Sequence, residues 1–471
     1  MAALRQFIFS LPLLAAAAAD AAVCDYDIGL AGTEPITLDI AVACQAGADG
    51  LEASRAAASL LRSLAVDGRP MPLEQASWPI GSALFTARYR LALGGDGAAQ
   101  SGVAAVGRSV MAELETWLLR PASDDTLVRL RPRLPADFVA ALPFKQADGA
   151  YVIPASLVPR AGYTAFGRLV ETTLALPGPG FSAWNPGTTP ARLRIVRLDG
   201  TLDLEDARLF RWVERSALAV ARYWRGFPVA DALLIVVPMT GRSGVVFGRV
   251  VPAGGISIML QLGEHAGAGA LDQDWVLVHE LTHTASPFMA RGFWLMEGLA
   301  TLIEPIVRAR AGWLTPEAVW AEFAQGMPRG LDAMTRTGLQ GSGRAGIYWG
   351  GALLLLLADV DIRRSSEGRR GLENCLLDVL RQGGDATERW TPEAFMAACD
   401  RAIGRPVLAG LAERHRFGGS PVELDALWRR LGVVREGGEV RLVDAPEAWL
   451  RDAILWGGTA GPPPALPPRI D

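Results

Sequence analysis

His279-Glu280-Leu281-Thr282-His283, followed by Trp294-Leu295-Met296-Glu297-Gly298, is the stretch on which the reading of this 471-residue chain turns. The chain has only four histidines, and two of them frame Glu280 at a spacing of four. On an α-helix, residues i and i+4 lie one turn apart on one face, so the imidazoles of His279 and His283 can converge on a single ion. The pattern reads as half a zinc site, with Glu280 beside the metal but not bound to it. A helix is expected here, because Asp272 or Asp274 can cap its start while Trp275, Val276, Leu277, Val278, Leu281 and Ala285 supply apolar surface.

A catalytic zinc needs three protein ligands and an open position for water. An elongated pattern with glycine at 286 and histidine at 289 is excluded, since those positions hold Ser286 and Met289. The next acidic residue is Glu297, at the start of a second aliphatic helix. Residues 284–296 leave room for a helix end, a turn at Pro287 and an antiparallel return. Glu297 is the preferred third ligand. Glu304, about 10 Å further along by helical rise, is held in reserve. Gly298 would let the two helices approach closely, and Glu280 is placed to take a proton from water and pass it to a leaving amine.

These stretches resemble the gluzincin zinc metallopeptidases, and among them the glycyl aminopeptidase-like family more than the alanyl aminopeptidases. A third stretch carries the likeness, Tyr348-Trp349-Gly350-Gly351-Ala352, with Asp361-Ile362-Arg363-Arg364 and Gly371-Leu372-Glu373-Asn374 after it. The resemblance covers roughly residues 190 to 445. It implies one zinc ion held by His279, His283 and Glu297, Glu280 as general base, and Tyr348 as hydrogen-bond donor to the oxyanion. Such a donor is what addition of water to a peptide carbonyl requires, because negative charge develops on its oxygen. The implied activity is zinc-dependent hydrolysis of a peptide or unfolded protein. Alternatives are a catalytically silent peptide-binding scaffold of the cell envelope and a zinc hydrolase of non-peptide substrates.

Two departures from the family stand out: the segment between His283 and Glu297 is shorter than in the alanyl aminopeptidases, and Gly350 stands where many relatives carry lysine. Gly254-Gly255-Ile256-Ser257-Ile258-Met259-Leu260 is similar to the family's edge strand, so Gly255, Ile256 and Ser257 are expected to lie along the substrate. That segment lacks the glutamate by which aminopeptidases hold a free α-amino group, Glu264 being the nearest candidate. An edge strand can also bind an extended peptide through its main chain, which leaves exopeptidase and endopeptidase action both open.

Residues 1–22, with Arg5, an apolar run from Phe7 to Ala19 and small residues at Ala19-Asp20-Ala21, read as a secretory signal peptide, so the mature chain is expected to be exported, periplasmic or secreted, with no membrane span. Four cysteines, Cys24, Cys44, Cys375 and Cys399, suit an oxidising compartment. Proximity favours Cys24 with Cys44 and Cys375 with Cys399, out of three possible connectivities. A formal charge of −4, with only short arginine pairs such as Arg363-Arg364 and Arg369-Arg370 read as solvated helix faces, argues against a nucleic-acid partner.

About 450 mature residues exceed what one core usually holds. The expected class is α+β. A β-rich N-terminal domain (23–190), with a helical interlude over Gly50–Leu64 and a Pro/Gly-rich linker over 177–190, precedes a thermolysin-like zincin domain (191–330). Strands are expected near Ala232–Val237, Gly244–Val250 and Gly255–Leu260, after an amphipathic helix near Asp203–Trp224. A helical part (331–450) and a Pro-rich tail (451–471) complete the chain.

Overall fold

The computed structural model describes residues 22–457 apart from 46, 82–83, 96–97, 180–188, 342 and 420. Most of the expected signal segment and the last residues of the tail lie outside these. The α+β arrangement is as expected: strands dominate up to the zinc motif and helices after it.

Alternating apolar residues build the N-terminal domain. In Ile36–Cys44 every second side chain is buried, the period-2 pattern of a strand with one face on a core. This strand sits inside an eight-stranded sheet between Val23–Thr33 and Phe85–Ala92. Cys24 stands opposite Cys44 in the antiparallel register, and the two form a disulfide. Two buried phenols fix the loop across this core, Tyr26 donating to the Leu119 carbonyl at 2.7 Å and the Leu119 N–H donating to Tyr89 at 3.2 Å. The helical interlude is shorter than expected. Only Arg55–Leu60 is helical, with Leu61–Val66 leaving it as a strand.

The second large sheet has five strands: β1 (Leu169–Leu176), β2 (Ala191–Leu198), β3 (Asp231–Met239), β4 (Val245–Val251) and β5 (Ile256–Gly263), in the order β1-β2-β3-β5-β4. β1 pairs antiparallel with β2 from Leu169↔Leu198 to Leu176↔Ala191. A segment read as part of the N-terminal domain is therefore the outer strand of the second sheet, and the Pro/Gly-rich stretch is its connection to β2. β3 is buried from Ala232 to Val237 because both faces of the sheet are covered. On one side lies helix α1 (Asp206–Trp224), whose Leu209, Val213, Ala217, Val220 and Trp224 form a buried stripe at helical spacing. On the other lies a four-stranded N-terminal sheet that includes Ser109–Glu113 and Tyr163–Gly167, with Met111 and Ala165 packed among Val196, Leu233, Ile235 and Met259.

Helices α2 (Val276–His283), α3 (Phe293–Arg310), α4 (Pro316–Gly341), α5 (Gly351–Ser365), α6 (Leu372–Arg381) and α7 (Pro392–Ile403) follow. α4 bends at Gly338, where φ is +71°. The Cys375–Cys399 disulfide ties α6 to α7. Arg363, read as part of a solvated pair, is instead buried at 1% exposure, its guanidinium 2.9 Å from Asp359 and 2.5 Å from Glu373. A buried guanidinium is tolerated when carboxylates surround it, and these come from α5 itself and from α6. Residues 451–456, assigned to the tail, form the end of a helix, Ala448–Trp456. Among the described residues no single helix is long and apolar enough to cross a membrane.

Candidate active site

Asp274 sets the start of α2. Its two carboxylate oxygens accept from the N–H groups of Val276 and Leu277 at 3.1 and 3.0 Å, satisfying donors that the first helical turn leaves open. Asp272, the other candidate cap, pairs with Arg215 at 2.7 Å. Leu277, Val278 and Leu281 bury one face of α2 in the core, which turns the face carrying His279 and His283 toward α3.

The two helices bring the ligand set together. His279 Nε2 and His283 Nε2 each lie 3.3 Å from the same oxygen, Oε2 of Glu297. A tetrahedral zinc with bonds of about 2.0–2.1 Å holds its ligand atoms about 3.3–3.4 Å apart. Both histidine–glutamate separations thus match edges of that tetrahedron, all three ligand atoms lie within 4.8 Å of one another, and two imidazoles with one carboxylate are the donor set that catalytic zinc takes. Glu304, the reserve candidate, is turned away and bonds to Arg308.

Electrostatics agree with this spacing. Burial pulls His279 below the usual imidazole range. It acts the same way on His283, but hydrogen bonding and charge from Glu297 outweigh it and hold that ring above the range. Burial would raise Glu297, yet its hydrogen bonds with both histidines prevail and keep it well below the carboxylate range. Glu280 is pushed by burial up to about 7, with the charge on His283 opposing. A carboxylate poised near neutrality is what a general base working near pH 7 needs.

Tyr348 lies on a π-helical turn, Gly346–Gly350, that leads into α5; such turns often occur at functional sites. Its ring stacks on His279 with centroids 6.0 Å apart and planes 17° from parallel, and its hydroxyl reaches Glu297. Burial, followed by the charges of Glu297 and Glu280, pushes this phenol up to about 12, so it remains a neutral donor. Glycine contacts seat the turn. A Cβ on Gly298 would stand 2.4 Å from the carbonyl carbon of Gly351, and one on Gly330 2.3 Å from that of Trp349.

The edge strand is not where the sequence pointed. β5, which contains Ile256 and Ser257, is enclosed between β3 and β4, and the free edge belongs to β4. Gly255 faces the N-terminal domain, where an added Cβ would meet the Pro143 carbonyl at 2.1 Å. Ser257 Oγ accepts from the Tyr163 N–H at 2.9 Å and donates to the Val251 carbonyl at 3.2 Å. These positions hold the seam between domains. Glu264 accepts from the Gly241 N–H at 2.9 Å, in the loop after β3.

β4 instead crosses Glu280. Gly248 comes so close that an added Cβ would stand 2.6 Å from Glu280 Cγ, and Glu280 accepts a hydrogen bond from the Val250 main chain. Next to it, Arg249 reaches Glu113 at 3.4 Å and the Tyr163 hydroxyl at 3.3 Å, so the N-terminal domain contributes side chains beside the site. Sequence reasoning missed this group. The available signal was Gly248 interrupting an apolar strand, which marks close backbone approach. His265 pairs with Asp203 on the surface and His415 lies on the helix Val407–His415; neither joins the cluster.

No family model matches the chain, and no curated protein matches it. Solved structures do. An aminopeptidase N family protein from Idiomarina loihiensis superimposes with a TM-score of 0.65 at 11% identity, over 87% of this chain and 78% of that one. An M1 zinc metallopeptidase from Deinococcus radiodurans gives 0.51 at 15% identity, over 85% of this chain and 94% of that one. A mutant of the Deinococcus radiodurans M1 zinc metallopeptidase, bound to a Tyr-Ser-Ala substrate, gives 0.51 at 13%, over 85% and 95%. The fold is that of these two-domain proteins.

Proposed function

We propose that the chain is a zinc metallopeptidase, with His279, His283 and Glu297 holding one zinc ion. The observation that carries this is the pair of 3.3 Å approaches of both imidazoles to one Glu297 oxygen. Zinc supplies Lewis acidity there, lowering the pKa of water and polarising a carbonyl. Glu280 takes the proton of the attacking water and delivers it to the nitrogen of the breaking C–N bond. Tyr348 donates to the oxygen on which charge accumulates. The free edge of β4 offers main-chain groups to an extended peptide, with Gly248 leaving its backbone flush against Glu280. The fold relative that carries Tyr-Ser-Ala supports a peptide as the ligand class. Two disulfides favour an oxidising compartment, in keeping with export. Shaping one wall of the cleft, through Tyr163 and Glu113, is the role we assign to the N-terminal domain.

Elemental analysis of the purified protein, paired with mass spectrometry of peptide-library digests, tests the reading. One zinc per chain is expected, with cleavage lost on chelation and restored by zinc. Glu280→Gln keeps the metal and loses about 10²–10⁴-fold in rate. Full hydrolysis by that variant would remove Glu280 from its role. Peptides bound but left intact by the zinc-loaded wild type would point to a silent scaffold instead.

A further inference from the structure

A cavity of about 380 Å³ opens from the metal site between α3 and α4, and the polar side chains on its walls are placed in an ordered way. Along α3 a single stripe leads away from the ligand Glu297: Thr301, Glu304 and Arg308, at i+4, i+7 and i+11. By helical rise this stripe is about 16 Å long. From α4, Glu322 faces it one turn before Gln325; Trp275, its ring 5.5 Å from that of His279, and Trp349, its ring packed on Gly326 of α4, also line it.

Two features of these walls are unbalanced. Arg308, itself buried, is shared by two carboxylates: it bonds to Glu304 and, at 2.9 Å, to Glu322. One cation therefore serves two carboxyl groups. Arg329, the other cation on the cavity wall, is exposed, where solvent screens its charge. The second feature is Thr301, a residue of the cavity wall, 9% exposed, whose buried hydroxyl has no hydrogen-bond partner. A threonine on a helix ordinarily satisfies itself on a preceding carbonyl, so an unsatisfied one facing a cavity leaves room for a ligand's donor or acceptor.

We propose that this cleft is a side-chain subsite for a cationic residue, lysine or arginine, lying beside the scissile bond. The indole faces of Trp275 and Trp349 accept the stem and its charge, the Thr301 hydroxyl accepts an N–H, and Glu304 with Glu322 receives the second cation they lack. Glu304 bears the mark of that deficit. Burial, only partly countered by Arg308 and reinforced by the charges of Glu322 and Asp274, pushes it up to about 8, so an arriving cation drives out its proton.

The subsite rests on the peptidase reading for its meaning, but its binding is measurable without turnover. Calorimetric titration of the intact protein with L-argininamide and with uncharged L-norleucinamide compares a cationic with an apolar side chain of similar reach. Argininamide is expected to bind at least tenfold tighter, with proton release near pH 7 when buffers of different ionisation enthalpy are compared. Glu322→Gln, on the partly exposed wall, is expected to cut that preference about tenfold, and Thr301→Val offers a second variant should Glu322→Gln fail to fold. Equal binding of the two amides, or a preference unmoved by Glu322→Gln and Thr301→Val, overturns the subsite. If argininamide binds in this Glu322-dependent way while no peptide is cleaved, the subsite stands and the peptidase reading falls. If peptides are cleaved with no preference for lysine or arginine on either side of the bond, the subsite falls and the peptidase reading stands.

Discussion

Gly298→Ala isolates the contact that sets the distance between Glu297 and Tyr348, the proposed metal ligand and oxyanion donor. Gly298 follows Glu297 on α3 and lies against Gly351, three residues after Tyr348. The added Cβ would stand 2.4 Å from the Gly351 carbonyl carbon and 2.5 Å from its Cα, against an ordinary contact of 3.4–4 Å. Both partners are backbone, so no side chain can rotate away; the helices must separate by about 1 Å. Overpacking of this kind costs about 1–3 kcal/mol, which for a chain of this size lowers the melting temperature by about 1–3 °C. The rate suffers more. A 1 Å displacement of positioned groups costs about 10²-fold, and here Tyr348 moves relative to Glu297 while both histidines remain. The assay is a thermal melt alongside zinc content and turnover of a peptide found in the library digests. Zinc should be retained, with kcat down about a hundredfold. A variant that melts with the wild type and turns over at its rate would show that Gly298 does not position Tyr348.

Two further outcomes follow from buried groups. Replacing Cys375 and Cys399 by serine, which opens a loop with a sequence separation of 24, should cost about 3 kcal/mol, read as a lower melting point that matches the wild type under reductant; a variant as stable as the oxidised wild type would refute it. Glu304 titrates near 8 when folded against an ordinary 4.5, so its contribution to stability is full below about pH 4.5 and is lost as pH rises through about 8. Melts from about pH 5 to pH 9 should therefore show Glu304→Gln gaining on the wild type as pH rises, whereas parallel curves would mean that Glu304 does not carry that proton.

The parts of this molecule legible from sequence are those set by neighbours along the chain. Helical spacing put His279 and His283 on one face, Asp274 sat within reach of the first turn, and Gly298 announced a close crossing. What escaped was set by pairings distant in sequence. Strand order decides which strand is the edge, and nothing in Gly254–Leu260 or Val245–Val251 distinguishes an enclosed strand from a free one except Gly248. β1 looked like the strands before it because alternation is the same in either sheet; only its ladder with β2 assigns it. Arg363 read as solvated because a lone arginine usually is, and the carboxylate that completes its burial, Glu373, belongs to the next helix. Glu113 and Tyr163 carry no local signal, since their relevance arises only where the N-terminal sheet meets β4 and β5.

That sheet-against-sheet packing bears on how the molecule could be divided. The strip of Val196, Leu233, Ile235 and Met259 is covered from the first half of the chain by Met111, Ala141, Tyr163 and Ala165, with Ala104 and Val106 beside them. A fragment beginning at residue 191 would lack an outer strand and present an open sheet edge, and one beginning at 169 would still bare an oily face to water; both are routes to clumping. The second half of the chain is therefore expected to need the first to cover its sheet.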